Sequence, residues 1–357
     1  MAPHALAPTQ LWQLVAFVRS LDTQVAATGT PTSVPVNKIF VPAADIAAVV
    51  ATGDDWLTYS GSLKSMRHSG LADITPANVS SLGLRWQYQF EGEPGKVETS
   101  PLARAGTLFI TVPPGRVMAM NGSTGQRIWQ AQYVLPANAA GGEFGFAANR
   151  GVAILEDRIF VGTGDAHLIA RSATTGKELW NVATSNDPGR YFITSAPLAF
   201  GDMVVTGVGT KGGGIAYVAA FDAKTGKERW RFLTIPGPNE PGHETWAGDS
   251  WREGGAPTWL TGSYDAEHDL LLWGVGNPKP DYDAALRAGS NLYSNCVIAL
   301  QASTGKLKWY FQFTPADTTT GIPTKCRCST TARALVAGPS SYCCGLTGTG
   351  STTCSIV

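Results

Sequence analysis

The sequence predicts an all-β fold made of repeated four-stranded units, the architecture of a β-propeller, on three observations. Four fourteen-residue segments align without a gap, and each carries Thr-Gly followed by a Trp four residues after the Gly. Successive copies recur about every 50 residues, a period typical of propeller blades. The chain of 357 residues is 43% hydrophobic but only 15% charged and contains 41 Gly, which favours short strands and turns over helices.

The repeats end at Trp129, Trp180, Trp230 and Trp309, and Trp86 can close an earlier unit. In each repeat the Gly supplies the positive φ of a hairpin turn, and the Trp can cover the neighbouring sheet. Trp129 and Trp180 are 51 residues apart, and Trp180 and Trp230 are 50 residues apart, whereas Trp230 and Trp309 are 79 residues apart. The excess lies in residues 233–259, which we expect to form an insertion on one face. We therefore expect four to five blades.

The two ends of the chain differ from the repeats. Apolar residues at positions 11, 14, 15 and 18 predict a short N-terminal helix over 1–21, and the Ala-, Thr- and Pro-rich stretch 22–55 predicts a linker. The propeller is expected over 56–317. Residues 318–357 hold five of the six Cys and no acid, Phe or Trp, so we expect a tail unrelated to the blades. The N-terminus lacks the basic and apolar segments of a signal peptide.

Composition and local motifs exclude several functions. With 27 basic and 27 acidic residues the formal net charge is zero, which argues against nucleic acid or an anionic membrane as partner. No apolar run reaches the roughly 18 residues of a transmembrane helix. Residues 207–212 match G-x-G-x-x-G, but the next segment is a predicted strand where a dinucleotide site requires a helix.

The Thr-Gly-x-x-x-Trp repeats, with HETWAGDSW, GGAPTW, GVGNPKPDYD and GSNLYSNCVIALQASTGKLKW, resemble the alcohol dehydrogenases that depend on pyrroloquinoline quinone (PQQ). The resemblance implies an eight-bladed quinoprotein propeller, incomplete here, with PQQ and Ca²⁺ on its axis. It implies oxidation of a primary alcohol in the periplasm, with hydride transfer to the quinone and a c-type cytochrome as electron acceptor. The alternative is a non-enzymatic Trp-repeat propeller that serves as a protein-binding or outer-membrane assembly scaffold. The insertion and the GGAPTW and GVGNP motifs favour the enzyme.

The resemblance also assigns roles to individual residues. It places Trp259 as the floor under the quinone, and a planar aromatic face suits a flat cofactor. It makes Asn277 a metal ligand through its amide oxygen and puts Arg150 near the quinone carbonyl oxygens. Glu98 and Thr194 are expected to contact the quinone. The alternatives are an inter-blade packing role for Trp259, a turn role for Asn277, and ordinary strand-end polar roles for Glu98 and Thr194.

Some family features are absent from the sequence. Phe144 and Gly145 stand where methanol dehydrogenase-like members have two adjacent cysteines. Where the family's second metal ligand, a Glu, is expected, the chain has Lys211 and Gly212. Neither can bind Ca²⁺ through a carboxylate. Glu240 and Glu244 in the insertion are candidate substitutes.

Both termini depart from the family as well. Residues 316–328 match the family sequence read with one nucleotide deleted, so we infer a frameshift near Thr318, which puts Ile322 at the position of the proton-accepting Asp. We therefore expect no catalytic base there and no alcohol oxidation by this chain. Residues 1–21 resemble the last helix of a c-type cytochrome domain, but the haem-binding C-x-x-C-H motif is absent. Haem c is expected only in full-length relatives.

Overall fold

The computed structural model describes residues 38–48, 55–91, 96–140 and 148–318, together with the backbone of two short strands at 327–329 and 342–344. The compact unit that contains them begins at Val36. The predicted helix over 1–21 lies outside the described residues, and so do Phe144, Gly145 and Ile322.

Four antiparallel sheets, each built from four consecutive strands, form the body of the fold and confirm the predicted propeller blades. Blade 1 consists of β1 (Leu102–Arg104), β2 (Thr107–Val112), β3 (Arg116–Asn121) and β4 (Arg127–Gln132). Blade 2 consists of β5 (Ala153–Leu155), β6 (Arg158–Gly162), β7 (His167–Ser172) and β8 (Glu178–Ala183). Blade 3 consists of β10 (Leu198–Phe200), β11 (Met203–Thr210), β12 (Tyr217–Asp222) and β13 (Glu228–Leu233), and β9 (Tyr191–Phe192) pairs with the end of β11. Blade 4 consists of β14 (Ser263–Asp265), β15 (Leu270–Gly274), β16 (Cys296–Gln301) and β17 (Leu307–Gln312).

The repeat Trp has the same partner on the neighbouring strand in every blade. In the outer strand of each blade it lies directly opposite the repeat Ala of the preceding strand, in the pairs Ala119–Trp129, Ala170–Trp180, Ala220–Trp230 and Ala299–Trp309. The small Ala leaves room for the indole beside it. A register shift follows this Ala in all four sheets. The four repeats are therefore equivalent in structure as well as in sequence.

Each Trp except the last joins its blade to the turn of the next one, and Trp86 does the same for blade 1. The indole Nε1 donates to a carbonyl beside the next Thr-Gly turn, in Trp86–Gly122 (2.8 Å), Trp129–Ala173 (3.1 Å), Trp180–Ala223 (3.1 Å) and Trp230–Ala302 (2.8 Å). The ring covers the turn glycine, which has φ near +72° in each case: Gly125, Gly176, Gly226 and Gly305. A Cβ there would lie within 3 Å of the indole, so glycine is required for the close approach as well as for the backbone conformation.

Residues 38–48 differ from the predicted linker because they pack into the main core. Ile39, Val41 and Ile46 are buried, and Val41 exchanges two backbone hydrogen bonds with Glu156 in blade 2. The helix α1 (Ala43–Ala48) lies against β10 of blade 3. The Ala- and Pro-rich composition indicated a linker, but three apolar side chains are enough to anchor this segment.

Residues 55–65 continue this connection, and we call 38–48 and 55–65 together the central strap. Trp56 exchanges two backbone hydrogen bonds with Ala103 on the free edge of β1. Further along, the carbonyl of Leu63 accepts from the backbone N–H of Tyr264 in β14. The central strap therefore touches all four blades.

The remaining elements are short. In the described part of the chain the 3₁₀ turns are Val79–Ser81, His243–Thr245, Ser250–Glu253 and Ala284–Arg287, and two of them lie in the predicted insertion. The insertion is anchored by the buried Trp246, whose Nε1 donates to the Leu292 carbonyl at 2.5 Å. In the region of the predicted tail, β18 (Arg327–Ser329) pairs with β19 (Tyr342–Cys344). Among the described residues no helix has the length and apolar character needed to cross a membrane.

Candidate functional site

Four of the predicted site residues occupy corresponding places in four blades. Glu98, Arg150, Thr194 and Trp259 each lie three or four residues before the first strand of a blade. The segments that carry them are adjacent, because Val97 pairs with Asn149 and the backbone N–H of Arg150 donates to the Thr194 carbonyl at 3.1 Å. The repeated architecture thus brings together residues that are up to 161 positions apart in the sequence.

Arg150 makes the contacts that hold this group together. Its Nη2 lies 2.7 Å from Oε2 of Glu98, and its Nη1 donates to the Thr194 carbonyl at 3.3 Å. Its guanidinium carbon lies over the Trp259 ring, 4.9 Å from the centroid. The Arg150 side chain is only 14% exposed, so these contacts are formed in a partly desolvated place where charge interactions are stronger than in water. The structure therefore joins all four residues, while their roles in binding stay predictions.

Lys96 is a further member of the group that the sequence did not indicate. Its Nζ lies 2.6 Å from Oε1 of Glu98, so the carboxylate is held between an ammonium and a guanidinium. The side chains of Lys96 and Glu98 are two positions apart on an extended segment, and such spacing puts them on one side. The spacing of two residues between Lys96 and Glu98 was the feature of the sequence from which their ion pair could have been predicted. Two cations around one anion leave a net positive charge, which suits an anionic ligand.

Asn277 lies on a neighbouring segment of the same face. It follows β15 and is buried, and its backbone carbonyl accepts from the N–H of Ala256, three residues before Trp259. Its side-chain Nδ2 donates to Oδ1 of Asp281 and to the Pro278 carbonyl, the latter at 3.2 Å. Both amide hydrogens are therefore used within this loop, and the amide oxygen is the atom that can serve as a ligand.

The acidic residues considered as substitutes for the second metal ligand have local partners. Oε2 of Glu240 accepts from the backbone N–H of Gly237 at 2.6 Å, and Oε2 of Glu244 accepts from that of Gly242 at 3.0 Å. These contacts give both carboxylates a structural role in the insertion. Lys211 follows β11, and its backbone N–H donates to the Arg190 carbonyl at 2.8 Å. The proposal that Glu240 or Glu244 binds a metal stays a prediction.

Comparisons with known proteins agree with this reading of the fold. Residues 56–319 match the family model described as the glucose/ethanol/alcohol dehydrogenase β-propeller domain of PQQ enzymes. The chain is 36% identical to quinohemoprotein alcohol dehydrogenase ADH IIB of Pseudomonas putida over 76% of this chain and 42% of that protein. It is 34% identical to the quinohemoprotein alcohol dehydrogenase of Comamonas testosteroni over 88% of this chain and 46% of that protein. The chain thus spans less than half the length of these relatives.

Solved structures show the same relationship. The quinohemoprotein alcohol dehydrogenase ADHIIG from Pseudomonas putida HK5 superposes with a TM-score of 0.78 at 33% identity, covering 87% of this chain and 48% of that one. A europium-containing methanol dehydrogenase superposes with a TM-score of 0.73 at 28% identity, covering 82% of this chain and 54% of that one. The chain belongs to the β-propeller family of PQQ-dependent alcohol dehydrogenases.

Proposed function

We propose that the face formed by Glu98, Arg150, Thr194 and Trp259 binds PQQ, as a quinoprotein alcohol dehydrogenase does. The observation that carries this proposal is the contact set of Arg150, which joins a carboxylate, a backbone carbonyl and an indole face from three other blades. A flat, carboxylate-bearing quinone needs an aromatic face and a fixed cation, and this group offers both.

The residues fit such a ligand in shape and in charge. Trp259 is half-buried, and the Arg150 guanidinium lies over its ring. A planar anion that stacks on Trp259 has to share the face with the guanidinium, which can turn toward its oxygens. Glu98 remains held by Lys96 at 2.6 Å if Arg150 turns away. Arg150 contacts the backbone carbonyl of Thr194, so the expected role of the Thr194 hydroxyl is part of the proposal.

Ca²⁺ is the metal that we propose for Asn277. A neutral amide oxygen on a buried loop is a suitable ligand for a hard cation. Lys211 offers no carboxylate, so the described residues provide a sparser oxygen set than a typical Ca²⁺ site with six to eight oxygen ligands. We expect the cation to be held by Asn277 together with oxygens of the bound ligand, and weakly when the ligand is absent.

We propose that PQQ, when bound on this face, would supply the acceptor for a hydride from a primary alcohol. Arg150 would orient the quinone and polarise its carbonyl oxygens, Trp259 would support its plane, and Glu98 would limit the movement of Arg150. A proton acceptor is also needed, and by resemblance its position is occupied by Ile322, which cannot accept a proton. Loss of such a base typically costs about 10²- to 10⁴-fold in rate. We therefore propose that the chain as written binds the cofactor but does not oxidise alcohols.

We propose that the enzymes of this family to which the chain is related work in the periplasm and pass electrons to a c-type cytochrome. Support comes from a relative in Thauera butanivorans that is named 1-butanol dehydrogenase (cytochrome c) and is 33% identical over 75% of this chain. Restoration of the family reading frame after Thr318 should bring back the proton-accepting Asp. Transfer of electrons to a cytochrome should be recovered in the same protein.

Equilibrium dialysis of PQQ against the 357-residue chain and its variants tests the binding proposal. Arg150→Met removes charge-assisted contacts worth about 1.5–3 kcal/mol, so Kd should rise about 10- to 150-fold. Trp259→Leu should weaken binding as well. Arg127→Met is the control, because Arg127 lies on the outer strand of blade 1 and pairs with Glu91 at 3.7 Å. Unchanged affinity in Arg150→Met and Trp259→Leu would refute this site and favour the scaffold alternative.

Dye-linked alcohol oxidation with added PQQ and Ca²⁺ tests the catalytic proposal separately. We expect no turnover above background with the chain as written, and clear turnover with the frame-restored chain. Robust turnover by the chain as written would show that another group accepts the proton.

A further inference from the structure

We propose that Asn149 is a positioning residue that aims the guanidinium of Arg150 at the ligand of the candidate site. This inference rests on the proposed function in taking that ligand to be PQQ. Asn149 comes directly before Arg150 in the chain and is half-buried ahead of the first strand of blade 2. It acts through the backbone that carries the arginine, so its side chain does not have to touch the ligand.

The side-chain amide of Asn149 makes two hydrogen bonds of opposite kind. Its Nδ2 donates to the carbonyl of Gly162, the last residue of β6, at 2.8 Å. Its Oδ1 accepts from the backbone N–H of Gly151 at 3.0 Å, which is the pattern of an Asx turn. The first bond ties the residue before the arginine to the second strand of blade 2. The second bond reaches the residue after the arginine, so Asn149 holds the chain on both sides of Arg150.

The backbone of Arg150 is bound within this turn. Its N–H donates to the Thr194 carbonyl at 3.1 Å, and its own carbonyl accepts from the N–H of Ser100 at 2.9 Å. Gly151 has φ +129°, and a Cβ there would lie 2.9 Å from the carbonyl oxygen of Ser100, so the turn that Asn149 closes requires glycine. With the backbone fixed, only the side-chain torsions of Arg150 remain free. A cation held in this way loses less conformational freedom when a ligand binds.

The other three residues of the candidate site have comparable neighbours, which supports a positioning role. Beside each of them in the sequence lies a hydroxyl side chain that is hydrogen-bonded to the backbone of a blade strand. The pairs are Thr99 Oγ1 with the N–H of Thr111 (3.1 Å), Ser195 Oγ with the Gly207 carbonyl (3.2 Å) and Thr258 Oγ1 with the Tyr217 carbonyl (2.8 Å). A polar anchor next to the site residue is therefore a repeated feature of these segments.

Equilibrium dialysis of PQQ against the 357-residue chain measures this role. Asn149→Leu keeps the size of the side chain but removes both hydrogen bonds, so the Kd should rise about 5- to 30-fold. Asn149→Ser can still accept from the Gly151 N–H but is too short to reach Gly162. Its Kd should lie between those of the parent chain and Asn149→Leu, and it carries the test if Asn149→Leu does not fold. Asn181→Leu is the matched control, because Asn181 is exposed on the outer strand of the same blade, and it should change the Kd less than about twofold.

An Arg150→Met background separates positioning of the arginine from general damage to the fold. With no guanidinium to aim, adding Asn149→Leu should leave the Kd within about twofold of that of Arg150→Met alone. An equal loss of affinity in both backgrounds would show that Asn149 acts through other contacts and would overturn the inference. Unchanged affinity in both Asn149 variants, with a loss in Arg150→Met, would also overturn it while the proposed function stands. Unchanged affinity in Arg150→Met would count against the proposed function itself, and this inference would fail with it.

Discussion

Replacement of Gly226 by Ala tests whether the contact between tryptophan and turn glycine holds neighbouring blades together. Gly226 has φ +74°, and a Cβ there would lie 2.9 Å from Cδ2 and Cε3 of Trp180. A left-handed backbone costs a non-glycine residue about 1–2 kcal/mol. Overpacking of the contact adds about 1–3 kcal/mol. The free energy of unfolding should therefore fall by about 2–5 kcal/mol in Gly226→Ala.

Gly106→Ala is a closely matched control. Gly106 has φ +73°, but a Cβ there would meet nothing within 4 Å, so only the backbone cost of about 1–2 kcal/mol applies. Guanidinium unfolding followed by far-UV circular dichroism measures both. In a Trp180→Ala background the cost of Gly226→Ala should fall toward that of Gly106→Ala, because the ring is gone and only Cγ1 of Val182, 3.0 Å from the added Cβ, remains close. Equal costs for the two glycines in the parent chain, or an unchanged cost in the Trp180→Ala background, would refute the reasoning.

Two further predictions concern ionisable groups. Hydrogen bonds from Arg229 and Thr225 hold the pKa of the Asp222 carboxyl well below its usual range. Its contribution to stability is therefore present above the unfolded pKa, near 3.8, and is lost as the pH falls below it toward the folded pKa. The midpoint of urea unfolding should therefore fall less between about pH 5 and pH 2 in Asp222→Asn than in the parent chain. An equal fall of the midpoint in both proteins would contradict this. Burial raises the pKa of the Cys296 thiol far above its ordinary value. Peptide mapping after iodoacetamide treatment at about pH 8 should show Cys296 labelled only in denaturant, and native labelling would contradict its burial.

The blades could be predicted from the sequence because the same requirement is repeated in each of them. A turn glycine with positive φ, a small Ala and a Trp recur at fixed spacing, and all three act within one hairpin or its neighbour. The repeat also explains why four of the predicted site residues lie together. Each occupies the same place before the first strand of its blade: Glu98, Arg150, Thr194 and Trp259.

Other contacts in the site depend on the conformation of loops, which no periodic pattern in the sequence predicts. Asp281 reaches Asn277 only because the intervening loop turns back on itself. Lys96 pairs with Glu98 through a local spacing that is common in extended segments without any contact. Ile39, Val41 and Ile46 are too few and too irregularly spaced to stand out in an Ala- and Pro-rich stretch, although they are buried. Such contacts are decided by tertiary packing.

The central strap has a consequence for how this protein folds and unfolds. In an array of repeats that touch only their neighbours, stability is roughly a sum of nearest-neighbour terms, and the units can melt one after another from an end. Here Trp56 binds the edge of blade 1 and Leu63 binds blade 4, so a segment of a few residues links units that are far apart in the chain. Separation of either end blade from the array must then break contacts with the strap as well as with one neighbour. We expect the four blades to melt as a single cooperative block, and to form slowly, because those long-range contacts close large loops before they add stability.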